Sequence, residues 1–343
     1  MRTWSALFGT TVVLLLAGCA TAAKRSPASS PRYTLEAARA WQLNLPNGER
    51  FDASGLFLAS NGDLLTVNDR GPSVYRIQFG ADATAADLVK LPECFTPEQL
   101  APFSAEKRGH YDCEGIAEDE RGRIYICEEE NRWLLRWDPR SRRVGRLNVD
   151  WAPVRRYFSK TDANASFEGI AVGGGRLYLA NERDAGRIVV IDLQTLRVVD
   201  DFEVRSSVVS FWGPHYSDLC WFCGELYVLM REDHVILRVD PRSHRVQAEY
   251  DFRAMESADE YRYHRLFPFV GVMEGLAVDQ DHFWLVTDNN GLSREHYPKD
   301  TRPTLFLCPR PDQNQRLTKN PRFHLVVHSY YDLWKFCRAA QIL

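Results

Sequence analysis

Five residues stand at the same point of a repeated sequence unit and share one kind of chemistry: Ser54, Glu114, Glu168, Ser217 and Glu274. Their contexts read Ser54-Gly55-Leu56, Glu114-Gly115-Ile116, Glu168-Gly169-Ile170, Ser217-Asp218-Leu219 and Glu274-Gly275-Leu276. Brought to one axis, three carboxylates and two hydroxyls make an all-oxygen set. Carboxylates a few ångströms apart repel one another, and without a counter-charge at least one takes up a proton. A bound cation removes that cost. With no His or Cys at these positions, the set favours a hard ion. Ca2+, which accepts about six to eight oxygens at roughly 2.3–2.6 Å, suits an irregular ring of Glu, Ser and water better than strictly octahedral Mg2+. The structural alternative is that each Glu caps backbone amides between neighbouring repeats. The two roles are compatible.

A second set of polar clusters follows about a dozen residues after each opening: Asn68-Asp69-Arg70-Gly71, Glu128-Glu129-Glu130-Asn131, Asn181-Glu182-Arg183-Asp184, Arg231-Glu232-Asp233-His234 and Asp288-Asn289-Asn290-Gly291. As a collar around a central metal, Arg70, Arg183 and Arg231 offer bidentate forks for phosphate or carboxylate oxygens. Asp69, Glu182 and Glu232 offer carboxylates to orient an attacking water. The same charges can instead pair from repeat to repeat as a salt-bridge belt. His110 and His215, just before Glu114 and Ser217, are further rim candidates.

The elements that must position these residues follow from the repeat. Each copy runs from a short apolar strand through a tight turn to a second strand, a polar cluster and a third strand. In the second copy these are Gly115-Ile116-Ala117, the turn Asp119-Glu120-Arg121-Gly122, Ile124-Tyr125-Ile126 and Trp133-Leu134-Leu135-Arg136-Trp137-Asp138. β-Branched and aromatic residues alternating between Gly-rich turns predict antiparallel strands. Openings separated by 60, 54, 49 and 57 residues match four-stranded propeller blades. The expected fold is an all-β, five-bladed β-propeller, with six blades as the alternative if 33–47 and 304–327 pair as a degenerate blade. One terminal segment is expected to close the ring by adding an outer strand to a blade begun at the other end. Opening residues and polar clusters then share one face, and the long connections 91–112, 150–167, 205–216 and 253–273 arrive there too.

At the N-terminus, Arg2, the apolar run from Leu7 to Leu16 and Leu16-Ala17-Gly18-Cys19 resemble a bacterial lipoprotein signal. This divides the chain into a signal peptide at 1–18, a lipidated Cys19 with a flexible tether to 32, and a single propeller domain at 33–343. The expected location is the cell envelope, anchored in the outer membrane and facing the periplasm, as a monomer. A net charge of −3 from 43 basic and 46 acidic residues argues against a nucleic-acid partner. Of the cysteines, Cys94 and Cys113 flank the insertion 95–112 and are placed to staple it, whereas Cys220-x-x-Cys223 reads as structural.

The five openings, together with Asn181-Glu182-Arg183-Asp184, resemble the SdiA-regulated family of bacterial periplasmic β-propellers over 52–290. A looser similarity, carried by Glu274-Gly275-Leu276 and Thr287-Asp288-Asn289-Asn290, is to phytase-like or esterase-like propeller domains. More distantly, the Ser, Glu, Glu, Ser, Glu order is similar to that of soluble calcium-activated nucleotidases, which implies axial Ca2+ and a substrate-site role for Asp69 and Arg70. Asn68 stands where those proteins carry an acid, and Leu179-Ala180-Asn181-Glu182 lacks their third-blade arginines. Two functions are therefore expected. One is a Ca2+-bearing envelope module that binds a ligand or an envelope protein. The other is a Ca2+-dependent hydrolase of phosphoesters or phosphoanhydrides, taking a phosphorylated small molecule and using Asp69, Arg70, Glu182, Arg183, Arg231 and Glu232. An open collar with unpaired arginines favours the hydrolase; one closed by mutual salt bridges favours the binding module.

Overall fold

Within the described residues, the alternation of apolar and polar residues between glycine turns produces strands in each of the five repeats. In the computed structural model, the described residues are 30–313 apart from 163–164, 183–185, 209–212 and 266–269. The signal peptide, Cys19, most of the tether, Arg183 and Cys337 lie outside them.

Two strands precede the first repeat, β1 (Arg32–Thr34) and β2 (Arg39–Asn44). The first copy folds as β3 (Ala53–Leu58), β4 (Leu64–Asn68), β5 (Gly71–Phe79) and β6 (Ala85–Lys90), and the second as β7 (Cys113–Glu118), β8 (Ile124–Glu128), β9 (Trp133–Asp138) and β10 (Arg143–Arg146). The third comprises β11 (Phe167–Gly173), β12 (Arg176–Asn181), β13 (Arg187–Asp192) and β14 (Arg197–Phe202). The fourth comprises β15 (Tyr216–Phe222), β16 (Glu225–Met230), β17 (Val235–Val239) and β18 (Val246–Asp251). The last supplies β19 (Met273–Val278), β20 (His282–Thr287) and β21 (Thr304–Pro309).

Hydrogen bonding sorts these strands into four sheets: β7–β10, β11–β14, β15–β18 with β1 added in parallel at its outer edge, and an eight-stranded sheet in the order β19-β20-β21-β2-β6-β5-β4-β3. The N-terminal strand β2 pairs antiparallel with β21, so a terminal segment does complete a unit begun at the other end of the chain. The 33–47 and 304–327 segments thus meet, within the described residues, as part of the β19–β21 unit rather than as a separate one. A parallel contact of β2 with β6 then joins this unit to the first.

The innermost strands form a closed circuit: β3 packs on β7, β7 on β11, β11 on β15, β15 on β19, and β19 back on β3. Apolar side chains fill the spaces between successive units in five clusters. Tyr227, Tyr250, Phe283 and Phe306 pack between the fourth and last units. Trp41, Leu56, Ile77, Val286 and Leu305 pack between the two halves of the eight-stranded sheet. Each fully buried large apolar side chain contributes roughly 1.5–3 kcal/mol, so no unit is stable without both neighbours.

The tight turns lie at the far face. Gly174 and Gly175 both have positive φ, as do Cys223 and Gly224, the backbone that a two-residue hairpin turn requires. The insertion after β6 is not stapled by Cys94 and Cys113, which are separate buried thiols in the core between the first two units. A capping box orders it instead. Thr96 and Gln99 exchange hydrogen bonds, and the Gln99 amide also donates to the carbonyl oxygens of Glu93 and Arg142. Burial pushes the Cys94 thiol up to about 12, which keeps it protonated and inert.

Candidate functional site

Ser54, Glu114, Glu168, Ser217 and Glu274 each occupy the second position of an innermost strand. At or beside each of them the pairing register slips: between Ser54 and Leu56, Cys113 and Gly115, Phe167 and Ile170, Tyr216 and Asp218, and Met273 and Gly275. A bulge leaves a residue unpaired and re-aims its side chain; Glu114, Glu168, Ser217 and Glu274 lie in the unpaired stretch, whereas Ser54 keeps its pairing with Val67 and the slip falls at Gly55. All five are buried.

The glycine after each Glu is a consequence of that circuit. A Cβ at Gly169 would lie 2.5 Å from the Cα of Asp218, and one at Gly115 would lie 2.9 Å from the Glu168 carbonyl oxygen. In the fourth copy, Asp218 takes the glycine position and uses its side chain to tie the circuit. Its carboxylate accepts hydrogen bonds from the amides of Leu276 (2.7 Å), Leu219 (2.8 Å) and Leu56 (3.2 Å). From the sequence, Ser217-Asp218-Leu219 is one of the five openings and Asp218 has no assigned role.

On the side of the second and third units the carboxylates gather. Asp112, Glu114 and Glu129 form one triad and Glu129, Glu168 and Glu182 another, with the oxygens of each triad within 4.8 Å of one another. Glu114 and Glu168 come from the predicted ring and Glu182 from the predicted collar. Asp112 and Glu129 were missed as ligands; Glu129 stands in the collar cluster Glu128-Glu129-Glu130-Asn131 and Asp112 two residues before Glu114. Burial, then the charges of Glu168 and Asp112, holds Glu114 well above the usual carboxylate range. Burial, then Glu182 and Glu129, does the same for Glu168. Burial followed by Glu114 and Glu182 pushes Glu129 up to about 10. Nearby, burial and then Asp288 and Asp52 raise Asp69 to about 8.

The other ring members are engaged differently. The Ser217 hydroxyl donates to the Met273 carbonyl oxygen at 3.1 Å, a bond from one inner strand to the next. Glu274 pairs with Arg231. Arg231 also donates to Glu182 at 3.1 Å and to Glu232 at 3.2 Å, so the collar is closed at this arginine. Between the same two acids lies His215, its Nε2 against Glu182 and its Nδ1 3.3 Å from Glu232. Burial opposes the imidazolium charge, but the hydrogen bonds to Glu182 and Glu232 outweigh it and raise the His215 pKa. With both nitrogens occupied, His215 positions its neighbours and is not a free base.

Arg70 remains open: its side chain is 56% exposed and 3.8 Å from Asp52. His110, 66% exposed, sits at the rim 3.9 Å from Asp112. The collar is therefore closed at Arg231 and open at Arg70. Buried oxygens of Asp69, Glu129 and Glu274 have no hydrogen-bond partner. An all-oxygen set of this span, with unpartnered buried oxygens, fits a hard cation with contacts of roughly 2.3–2.6 Å.

Comparison with known proteins places this geometry. No curated protein matches the sequence. Among solved structures, the chain is similar to Myxococcus xanthus glutaminyl cyclase, with a TM-score of 0.53 and 14% identity over 82% of this chain and 97% of that one. It is also similar to a PQQ-bound aldose sugar dehydrogenase from Streptomyces coelicolor, with a TM-score of 0.43 and 13% identity over 80% and 98% of the two chains. The first likeness, with the closed circuit of inner strands, identifies the fold as a β-propeller. The family described as "Phytase-like: Esterase-like activity of phytase" matches residues 51–291, which include every ring and collar residue, and the chain belongs to that phytase-like family.

Proposed function

We propose that this protein is a Ca2+-dependent hydrolase of phosphoesters or phosphoanhydrides, acting in the carboxylate-lined mouth of a five-bladed propeller. The observation that carries this reading is the pair of carboxylate triads sharing Glu129, one of them fully buried, in a phytase-like chain. The count of five treats the eight-stranded sheet as two blades meeting at the β2–β6 contact, in accord with the five interior clusters.

Glu114, Glu129 and Glu168, supplemented by Asp112 or Glu182, would hold the ion. Bound there, Ca2+ would polarise a phosphoryl oxygen and stabilise charge developing in the transition state. Arg70, exposed at the edge, meets the anionic oxygens of the substrate as a bidentate fork. Asp69, raised to about 8, holds a proton near neutral pH and serves to exchange it with water or the leaving group. Arg231 supplies fixed positive charge, and His215 and Glu232 hold it against Glu182 and Glu274.

The closed state of Arg231 favours a second reading, in which a Ca2+-stiffened propeller binds an anionic ligand or an envelope protein without turnover. Both readings go with a monomer in the cell envelope, anchored through Cys19 to the outer membrane, as the lipoprotein-like signal ending in Leu16-Ala17-Gly18-Cys19 implies. A panel of phosphomonoesters, phosphodiesters and nucleotides, assayed with Ca2+ and with EGTA, tests the first. Turnover that EGTA abolishes supports the hydrolase; no turnover on any substrate removes it in favour of the binding module.

A further inference from the structure

A cavity of about 320 Å³ opens beside the second unit, where β9 begins at Trp133 and β10 ends at Arg146. Its chemistry is opposite to that of the acidic mouth. Among the described residues no carboxylate lines it, while Arg132, Arg146 and Arg155 do, together with the rings of Trp133, Trp151 and Phe158. Arg146 is neutralised by Glu106 at 2.7 Å and stacks over Trp133 at 4.9 Å. The other two guanidiniums have no ion pair among the described residues. Arg132 lies over Phe158 at 5.5 Å and donates only to the carbonyl oxygens of Ser159 and Asp162, and its buried Nε has no acceptor. Burial lowers the Arg132 pKa and outweighs the opposing charges of Glu129 and Asp162, with Arg108 adding to the lowering. Arg155 is exposed at the opening.

We propose that this cavity binds an aromatic ring bearing an anionic group, with the ring against Trp133, Trp151 and Phe158 and the anion on Arg132 and Arg155. Guanidinium forks recognise carboxylate and phosphate oxygens alike, and aromatic walls favour a flat partner through offset or edge contacts. Either part alone is a weak ligand; joined, they satisfy the cavity's uncompensated charge and its apolar walls together. The site does not rest on the hydrolase reading, because none of its lining residues belongs to the carboxylate triads.

Calorimetric titration of the full chain in EGTA tests the proposal, with phenyl phosphate, benzoate, benzyl alcohol and inorganic phosphate as probes. At least one ring-bearing anion is expected to bind about tenfold or more tightly than either benzyl alcohol or inorganic phosphate, and Arg155→Gln should weaken it about tenfold. Which anion binds better identifies the group as phosphate or carboxylate. Arg155 is exposed, so its variant keeps the fold, which circular dichroism checks. Benzyl alcohol binding as tightly as the anions, neither anion binding, or unchanged affinity in Arg155→Gln would overturn it. Working without Ca2+ and without turnover keeps this result separate from the hydrolase assay.

Discussion

Arg231, from the polar cluster of the fourth repeat, forms an ion pair with Glu274, the last member of the oxygen ring. One guanidinium thereby reaches from the collar to the ring, and Glu182 and Glu232 share it. The cost of crowding carboxylates around the inner strands is met in part by the protein's own cation. Arg231→Gln should therefore lower unfolding free energy in EGTA by about 3–5 kcal/mol, the effect of removing one partner from a buried charge cluster, and Ca2+ should restore part of the loss. Urea denaturation with and without Ca2+ measures both. Equal stability of variant and parent in EGTA would show that the guanidinium is not the counter-charge.

Glu129 belongs to both carboxylate triads, although it was not among the residues expected to hold metal. Glu129→Gln and Glu168→Gln should each weaken Ca2+ binding by about tenfold or more, whereas Ser217→Ala, whose hydroxyl is spent on Met273, should change it by less than about threefold. Calcium titration calorimetry separates the three. If Ser217→Ala were the most damaging, the ion would sit on the five-residue ring and not in the triads.

The Asp218 carboxylate joins amides from three positions of the inner circuit. Asp218→Gly copies the residue found in the other four repeats and yet should destabilise by about 3 kcal/mol or more, since buried amides lose their acceptor. Gly169→Ala should be damaging for the complementary reason, its Cβ falling 2.5 Å from the Asp218 backbone. Thermal unfolding of both variants is the check, and a neutral Asp218→Gly would rule out the tie.

Acid stability should show the ion pairs of the 288–303 connection. Burial acts to raise the Asp300 pKa, but hydrogen bonds from Arg302 and Arg294 prevail and lower it from 3.8 to about 2. A depressed folded-state pKa contributes stability that is present above 3.8 and lost as pH falls through about 2. After allowance for solvent screening this is worth roughly 1 kcal/mol. Asp300→Asn should cost that amount at neutral pH and nothing once Asp300 is protonated in both states. A constant difference across that window in urea titrations would exclude the electrostatic origin.

Arg70 is exposed and only weakly paired, so Arg70→Gln should leave stability within about 0.5 kcal/mol of the parent. On the hydrolase reading, the same change should raise KM for a phosphoester with a smaller effect on kcat, as loss of a group that binds ground and transition state alike. Steady-state kinetics decide this; an unchanged KM would remove Arg70 from the substrate site.

The strand order, the turns and the shared face were legible because they rest on local rules. Alternating Val, Ile, Tyr and Trp specify strands, and glycine pairs such as Gly174-Gly175 specify turns. The repeated Glu-Gly-Ile and Glu-Gly-Leu marked the inner strands because close approach there excludes a Cβ. By contrast, the Cys94–Cys113 staple was inferred from flanking positions alone, and the core holds both thiols without joining them.

By itself, then, the sequence determined the repeat, the placement of Ser54, Glu114, Glu168, Ser217 and Glu274 at equivalent points, and the concentration of acid at one end. Only the tertiary structure decided which of those oxygens meet. A five-fold register describes positions along separate strands, whereas rotamers, bulges and neighbouring charges act through space. Arg231 draws Glu274 toward the fourth repeat and Ser217 bonds to the adjoining strand. Glu114 and Glu168 are left with Asp112, Glu129 and Glu182 as the acidic centre of the mouth.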